Sequence, residues 1–231
     1  MTEIESQIAN NIPPIPVIAP YERCDEIYIE DLGNIHTSKQ YAFFKRVFDI
    51  VFSVIALIIL ALPMLIISLV IKSTSKGSVF YRQERLGLNG KKFDIIKFRT
   101  MDMDAEKDGC RWSDGDDDPR ITTVGKFLRK SRLDELPQFW CILKGEMSVI
   151  GPRPERECFY IEFEEYIHGF NQRLKVKPGL TGLAQVKGGY YLRPEEKIIY
   201  DVDYIKNRSI WLELRILFCT IKVLFKFEGA K

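Results

Sequence analysis

The sequence is poor in histidine. Two occur among 231 residues, His36 and His168, too few for a histidine-based metal centre. Five cysteines, Cys24, Cys110, Cys141, Cys158 and Cys219, match neither a zinc site nor a redox CxxC pair. Their odd number reads as free thiols in a reducing compartment. Net charge is scarce as well, at +2 with 46% hydrophobic residues, which excludes disorder throughout. A mean hydropathy of −0.11 excludes a polytopic membrane protein. Only 15 glycines and 11 prolines exclude collagen-like or mucin-like chains, and no internal repeat is visible.

These averages conceal an uneven distribution. Residues 1–40 hold seven acidic and two basic side chains, a net −5, so residues 41–231 carry +7. A basic body suits anionic lipid or phosphate ligands as well as nucleic acid. Apolar residues are concentrated too: the 22 positions from Ile50 to Ile71 contain no charge. As a helix they reach about 33 Å, enough to cross a hydrocarbon core of about 30 Å. The run starts too late and is too long for a cleaved signal peptide. A buried core helix of this size would carry some polar face. Pro63 lies just past the centre and predicts a kink. Both flanks are basic, with Lys39, Lys45 and Arg46 before the run and Lys72, Lys76 and Arg82 after it. A re-entrant helix broken at Pro63 keeps both flanks on one side of the membrane and is preferred to a simple span.

The chain divides into an acidic, proline-rich leader (1–40), a membrane-embedded helix-break-helix (41–76) and a catalytic domain with membrane-associated helices (77–231). Within the leader, Ile12–Pro20 has four prolines and reads as extended. The following EIYIEDL reads as a short strand or helix. Val79–Arg85 and Lys92–Phe98 are rich in β-formers around Asn89-Gly90 and predict a hairpin. The acidic run at 102–118 lacks the glycine of a calcium loop and reads as solvated. Apolar residues recur at helical spacing from Gly125 to Leu143, interrupted by Pro137. Proline is tolerated in a first helical turn, so a helix restarts near Asp134, with Asp134 as its N-cap and the helix end favouring its anionic form. Phe159–Ile167 reads as helix, and Lys177–Gly188 as a glycine-punctuated loop. Ile210–Phe225 is either a core helix or an interfacial one.

Asp134-Glu135 is an adjacent carboxylate pair with Arg129, Lys130 and Arg132 just before it. Two carboxylates without a usable His, Cys or Ser arrangement leave Mg²⁺ binding, general base work, or nucleophilic attack on phosphorus. Lys97 and Arg99 flank Phe98 at a strand end, and Arg153 stands between Pro152 and Pro154. A rigid backbone fixes a guanidinium plane, which favours bidentate phosphate binding.

KRVFDI, QERLG, KFRTM, RLDELPQ, LKGEMSVIGPRP and KPGLTGLAQV follow in that order between Lys45 and Gly229. In this order the chain resembles the bacterial sugar transferases that prime polysaccharide synthesis, the monotopic phosphoglycosyl transferases. The resemblance implies an α+β fold: a membrane re-entrant helix plus a mainly helical cytoplasmic domain with a small β-hairpin. It implies transfer of a sugar-1-phosphate from a UDP-sugar to polyprenyl (undecaprenyl) phosphate at the bacterial inner membrane, releasing UMP, as a first step of exopolysaccharide, capsule or glycan synthesis. By it, Asp134 is the nucleophile that becomes an aspartyl-phosphosugar, and Glu135 assists with metal or proton. Mg²⁺ is the implied cofactor, held at Asp134 and Glu135. Lys97, Arg129 and Arg153 stand at positions the family uses for phosphate or nucleotide contacts; with Arg99, from the strand end, they form the candidate substrate-binding set, and Pro63 marks the membrane helix break. The family often has serine before that proline, where this chain has Leu62. The sugar leans to galactose or glucose, and a homodimer stays open. Two other readings stand beside this one: a non-catalytic membrane scaffold and a UDP-sugar pyrophosphatase. Nucleic-acid binding lacks aromatic-basic interleaving or a known fold motif.

Overall fold

The computed structural model describes residues 26–103, 105, 118–188 and 192–226. The proline-rich stretch Ile12–Pro20 and most of the acidic run at 102–118 lie outside the described residues.

The apolar run lies within helix α1, Lys39–Thr74, 36 residues long. Ser38 caps it, its side chain accepting from the Tyr41 N–H at 3.1 Å. The backbone stays helical on both sides of Pro63 and through it, as it does at a proline kink. A proline deletes one rung of the ladder, and here both halves are held independently by packing. Phe48, Phe52, Ala56, Leu57 and Leu60 pack on the main core, while Met64, Ile67 and Ile71 pack with Phe98 and Leu128. These positions recur every three or four residues and form one stripe of the helix. The other face leaves Ile55, Ile58, Ile59, Leu62, Leu65 and Leu69 exposed. Among the described residues α1 is the one helix long and apolar enough to cross a membrane, by length and composition.

Both ends of α1 are fastened to the same body. Near its start, Arg46 donates to the Ile142 and Leu143 carbonyls, each at 2.7 Å. Lys45 binds Glu213 at 2.6 Å, and the Asp49 carboxylate accepts from Ser148 Oγ and the Val149 N–H, both at 2.9 Å. Past its end, Arg99 donates to Ser75 Oγ at 2.6 Å and to the Lys76 carbonyl at 2.5 Å.

The predicted hairpin is present. Strands β2, Phe80–Leu86, and β3, Lys92–Phe98, pair antiparallel from Phe80↔Phe98 to Leu86↔Lys92. Asn89 and Gly90 both take positive φ, 55° and 73°, in the connection. Helices α2, Thr123–Lys130, and α3, Gln138–Lys144, follow. The helix expected to restart at Asp134 begins later: Leu133–Glu135 is a 3₁₀ turn and Pro137 occupies the N-cap of α3. Proline lacks the N–H an interior position needs, so the chain tightens before it and coils after it.

Lys177–Gly188 has regular structure, contrary to the loop expected there. Strand β4, Ser148–Ile150, pairs in parallel with β6, Gly179–Thr181, and Leu183–Gly188 is helix α5. The glycines mark close backbone approach rather than looseness: a Cβ at Gly179 would lie 2.1 Å from the Gly151 nitrogen. Between these strands come helix α4, Glu157–Glu164, strand β5, Ile167–His168, and a 3₁₀ segment, Phe170–Lys175. Helices α6, Pro194–Asn207, and α7, Ile210–Lys226, close the fold. Ile216 of α7 is buried in the main core while Trp211 and Phe218 are exposed, so this helix is partly core and partly surface.

The end of the leader is structured. Strand β1, Ile27–Tyr28, pairs in parallel with β5, and Tyr28 stacks on His168 with centroids 4.5 Å apart. Gln172 completes the attachment, donating to the Glu30 carbonyl at 2.9 Å and accepting from the Leu32 N–H at 2.6 Å. The cysteines are not all free thiols: Cys141 and Cys219 are free, but Cys158 is disulfide-bonded.

Candidate active site

The carboxylate pair is presented by the 3₁₀ turn between α2 and α3. Arg132 enters that turn with φ at +56°, an uncommon conformation for a non-glycine residue, and reverses the chain. Asp134 and Glu135 are both buried.

Glu135 is locked by two cations. Lys97, from the end of β3, places Nζ 3.0 Å from Oε1. Arg153, from the segment between β4 and α4, reaches both carboxylate oxygens, with NH1 at 3.3 Å from Oε2 and NH2 closer still to Oε1. Burial works against the charge of Glu135, but Arg153 and Lys97 outweigh it and hold its pKa well below the carboxylate range. Burial also pushes the Lys97 ammonium down, against the pull of Glu135.

Asp134 is arranged differently. Among the described residues no hydrogen bond or ion pair engages its carboxylate. Burial and the neighbouring Glu135 charge raise its pKa to about 6, against the opposing charges of Lys97, Arg129 and Arg153. The helix-end argument predicts the opposite direction. It fails because α3 begins at Gln138 and burial dominates.

The fold therefore gathers Asp134, Glu135, Lys97 and Arg153 into one site. Arg129 sits close enough to act on Asp134 through its charge, and its Nε donates to Thr100 Oγ1 at 2.9 Å. Arg99 is placed elsewhere, turned toward the residues after α1, and Pro63 lies on the exposed part of that helix. Sequence reasoning missed Thr100 and Arg85. Arg85 NH1 binds Glu155 Oε2 at 3.2 Å and the Pro154 carbonyl at 3.3 Å, steadying the segment that carries Arg153. The only local signals are motif membership, QERLG for Arg85 and KFRTM for Thr100.

The pattern of the bacterial sugar transferase family matches residues 40–227, nearly all of the chain beyond the leader. This chain belongs to that family. Its similarity to curated members is extensive. It is 42% identical over 212 residues to the UDP-N-acetylgalactosamine-undecaprenyl-phosphate N-acetylgalactosaminephosphotransferase of Aeromonas hydrophila, covering 90% of this chain and 50% of the relative. It is 44% identical over 183 residues to the UDP-glucose:undecaprenyl-phosphate glucose-1-phosphate transferase of Klebsiella pneumoniae, covering 77% and 39%. It is 38% identical over 219 residues to the UDP-galactose-lipid carrier transferase of Erwinia amylovora, covering 89% and 45%. The chain thus spans half or less of these relatives. Their names carry three different sugars, so membership of this sugar transferase family does not fix the sugar.

Proposed function

We propose that the chain transfers a sugar-1-phosphate from a UDP-sugar to polyprenyl phosphate at a membrane surface, with Asp134 as nucleophile. One observation carries this reading: of two adjacent buried carboxylates, Glu135 is held by Lys97 and Arg153 and Asp134 is not held. A nucleophile needs an available lone pair, and a neighbour already committed to cations cannot supply it.

In the first half-reaction an Asp134 oxygen bonds to the β-phosphorus of the UDP-sugar. The bond from that phosphorus to the bridging oxygen breaks, and UMP leaves with the electron pair. In the second, an oxygen of polyprenyl phosphate attacks the same phosphorus and the Asp134 carboxylate is released. Lys97, Arg129 and Arg153 supply positive charge beside the transferred group, which is most of what phosphoryl transfer asks of a protein. Glu135 keeps Lys97 and Arg153 in place.

The donor set fits Mg²⁺ of the kind held by one or two carboxylates plus substrate phosphates rather than by an all-protein cage. Among the described residues no cluster of three metal-ligating side chains exists. Asp134 is the carboxylate without a cation partner among the described residues, and Glu135 would share its oxygens between Lys97, Arg153 and the metal. When bound, Mg²⁺ would neutralise charge on the diphosphate.

The membrane reading rests on α1. Its exposed apolar face suits lipid, and the attachment of both its ends to one body favours a helix that enters and returns over one that spans. The catalytic body then lies on one side, the cytoplasmic one, since the basic flanks at Lys45, Arg46, Lys72 and Lys76 stay inside. Thiol labelling of cysteines introduced at Thr37 and Ser78 in oriented vesicles tests this; opposite accessibility of the two would refute it.

The activity is tested in lipid nanodiscs with Mg²⁺ and no acceptor. UDP-glucose, UDP-galactose or UDP-N-acetylgalactosamine should release up to about one UMP per active site. Sustained release of sugar phosphate without lipid would instead identify a pyrophosphatase, and no release with any donor would favour a scaffold.

A further inference from the structure

Five consecutive backbone positions around Arg153 are each tied down, to three segments in all: β6, the 3₁₀ segment at Arg173 and the end of β2. The Gly151 N–H donates to the Thr181 carbonyl at 2.9 Å, and the Pro152 carbonyl accepts from the Gly179 N–H at 2.8 Å. The Arg153 carbonyl accepts from Arg173 NH2 at 2.8 Å. The Pro154 carbonyl accepts from Arg85 NH1, and the Glu155 carbonyl from the Leu86 N–H at 3.2 Å. At the residue that carries the guanidinium onto Glu135, the tie is a buried charged side chain.

Arg173 is 2% exposed. Its Nε donates to Asp201 Oδ2 at 2.7 Å, and its guanidinium lies 4.8 Å from the centroid of Phe170. Asp201 of α6 is equally buried, at 2%. A buried ion pair is a weak device for stability, because well-packed apolar residues in its place often do as well. What an apolar pair cannot do is donate to the Arg153 carbonyl while staying fixed at its other end. The guanidinium fork does both at once. Its own backbone is anchored too, since Gln172, the preceding residue, is bound to the strap that follows β1.

We propose that Arg173, oriented by Asp201, is a positioning residue for the transfer reaction: it fixes the main chain at Arg153, and so places the guanidinium that holds Glu135 beside Asp134. The inference rests on the functional reading above. Arg173 touches neither carboxylate of the site, so its effect is on geometry. A displacement of about 1 Å at a catalytic group costs as much as a hundredfold in rate.

The test is single-turnover UMP release in nanodiscs, using whichever of the three UDP-sugars gives a wild-type burst. The double variant Arg173→Met/Asp201→Asn removes the pair without leaving a buried charge unpaired, and Arg173→Lys is the conservative replacement. Burst amplitude reports how much protein is folded and active; the rate constant reports positioning. The double variant should lower the rate constant at least about tenfold with KM for the UDP-sugar changed by less than about threefold, and Arg173→Lys should recover part of the loss. A rate constant within about twofold of wild type, whether amplitude falls or not, would overturn the proposal. Absence of a wild-type burst with every donor would overturn the functional reading itself, before any variant is compared.

Discussion

Lys97 Nζ stands 3.0 Å from Glu135 Oε1, joining the end of a strand to a turn 38 positions later in the chain. Arg153 closes on the same carboxylate from a third segment. Asp134, one residue away, is left to its surroundings. The two members of the carboxylate pair therefore have different chemistry despite their adjacency.

Substituting the two carboxylates should give different phenotypes. Asp134→Asn should abolish UMP release while leaving the melting temperature near wild type, because no ion pair is broken. Glu135→Gln leaves two cations without their shared anion and should destabilise by about 3 kcal/mol, as breaking a buried pair does. Thermal unfolding measured beside activity separates them. A large loss of stability in Asp134→Asn would contradict the assignment of the unengaged role.

The ionisation of Asp134 is a second test. Its pKa is raised to about 6, so in metal-free protein it should be mostly protonated at pH 5 and mostly ionised at pH 7. Lys97 opposes that rise, so Lys97→Met should move the midpoint upward. Carboxyl ¹³C NMR of labelled aspartate reads the midpoint directly. A value near the ordinary 3.8 would show that burial does not dominate at this site.

Arg46 joins the start of α1 to the last carbonyls of α3. Helix C-termini leave such carbonyls without intrahelical donors. Arg46→Met should cost about 1–3 kcal/mol, because the Leu143 carbonyl loses its donor while the Ile142 carbonyl keeps the Gly145 N–H at 2.9 Å. Urea unfolding in detergent, with limited proteolysis in the turn after α3, would detect it. Unchanged stability would mean that α1 is held by its apolar stripe alone.

Ser53 is a buried α1 residue whose hydroxyl has no hydrogen-bond partner among the described residues. Ser53→Ala removes a desolvated polar group and improves helix propensity, so stability should rise by about 1 kcal/mol. A fall in melting temperature would show that the hydroxyl is satisfied in the membrane-bound protein.

Much of this protein is legible along the chain. The β-formers on either side of Asn89-Gly90 predict the hairpin, because such side chains suit a pleated strand and that pair suits a turn. The uncharged run from Ile50 to Ile71 predicts a long apolar helix because length and composition suffice. Asp134-Glu135, Lys97 and Arg153 stand out by charge beside backbone-constraining residues. The loop expected at 177–188 fails because those glycines permit strands β4 and β6 to touch, a contact between segments 31 positions apart at Ser148 and Gly179. Arg99 resembles Lys97 in sequence, and an unbroken strand would put both on one face; β3 ends at Phe98, and Arg99 turns toward the end of α1.

Membership of the sugar transferase family, a long apolar helix and the charged residues available to the site can all be read along the chain. Those properties are carried by residue type, order and local periodicity. Which carboxylate is held and which is available, the attachment of both ends of α1 to one body, and the reach of Arg173 to the Arg153 carbonyl emerge from the folded chain. Each of these depends on burial and on contacts between distant segments, and charge in a protein takes its meaning from the solvent and partners that remain around it.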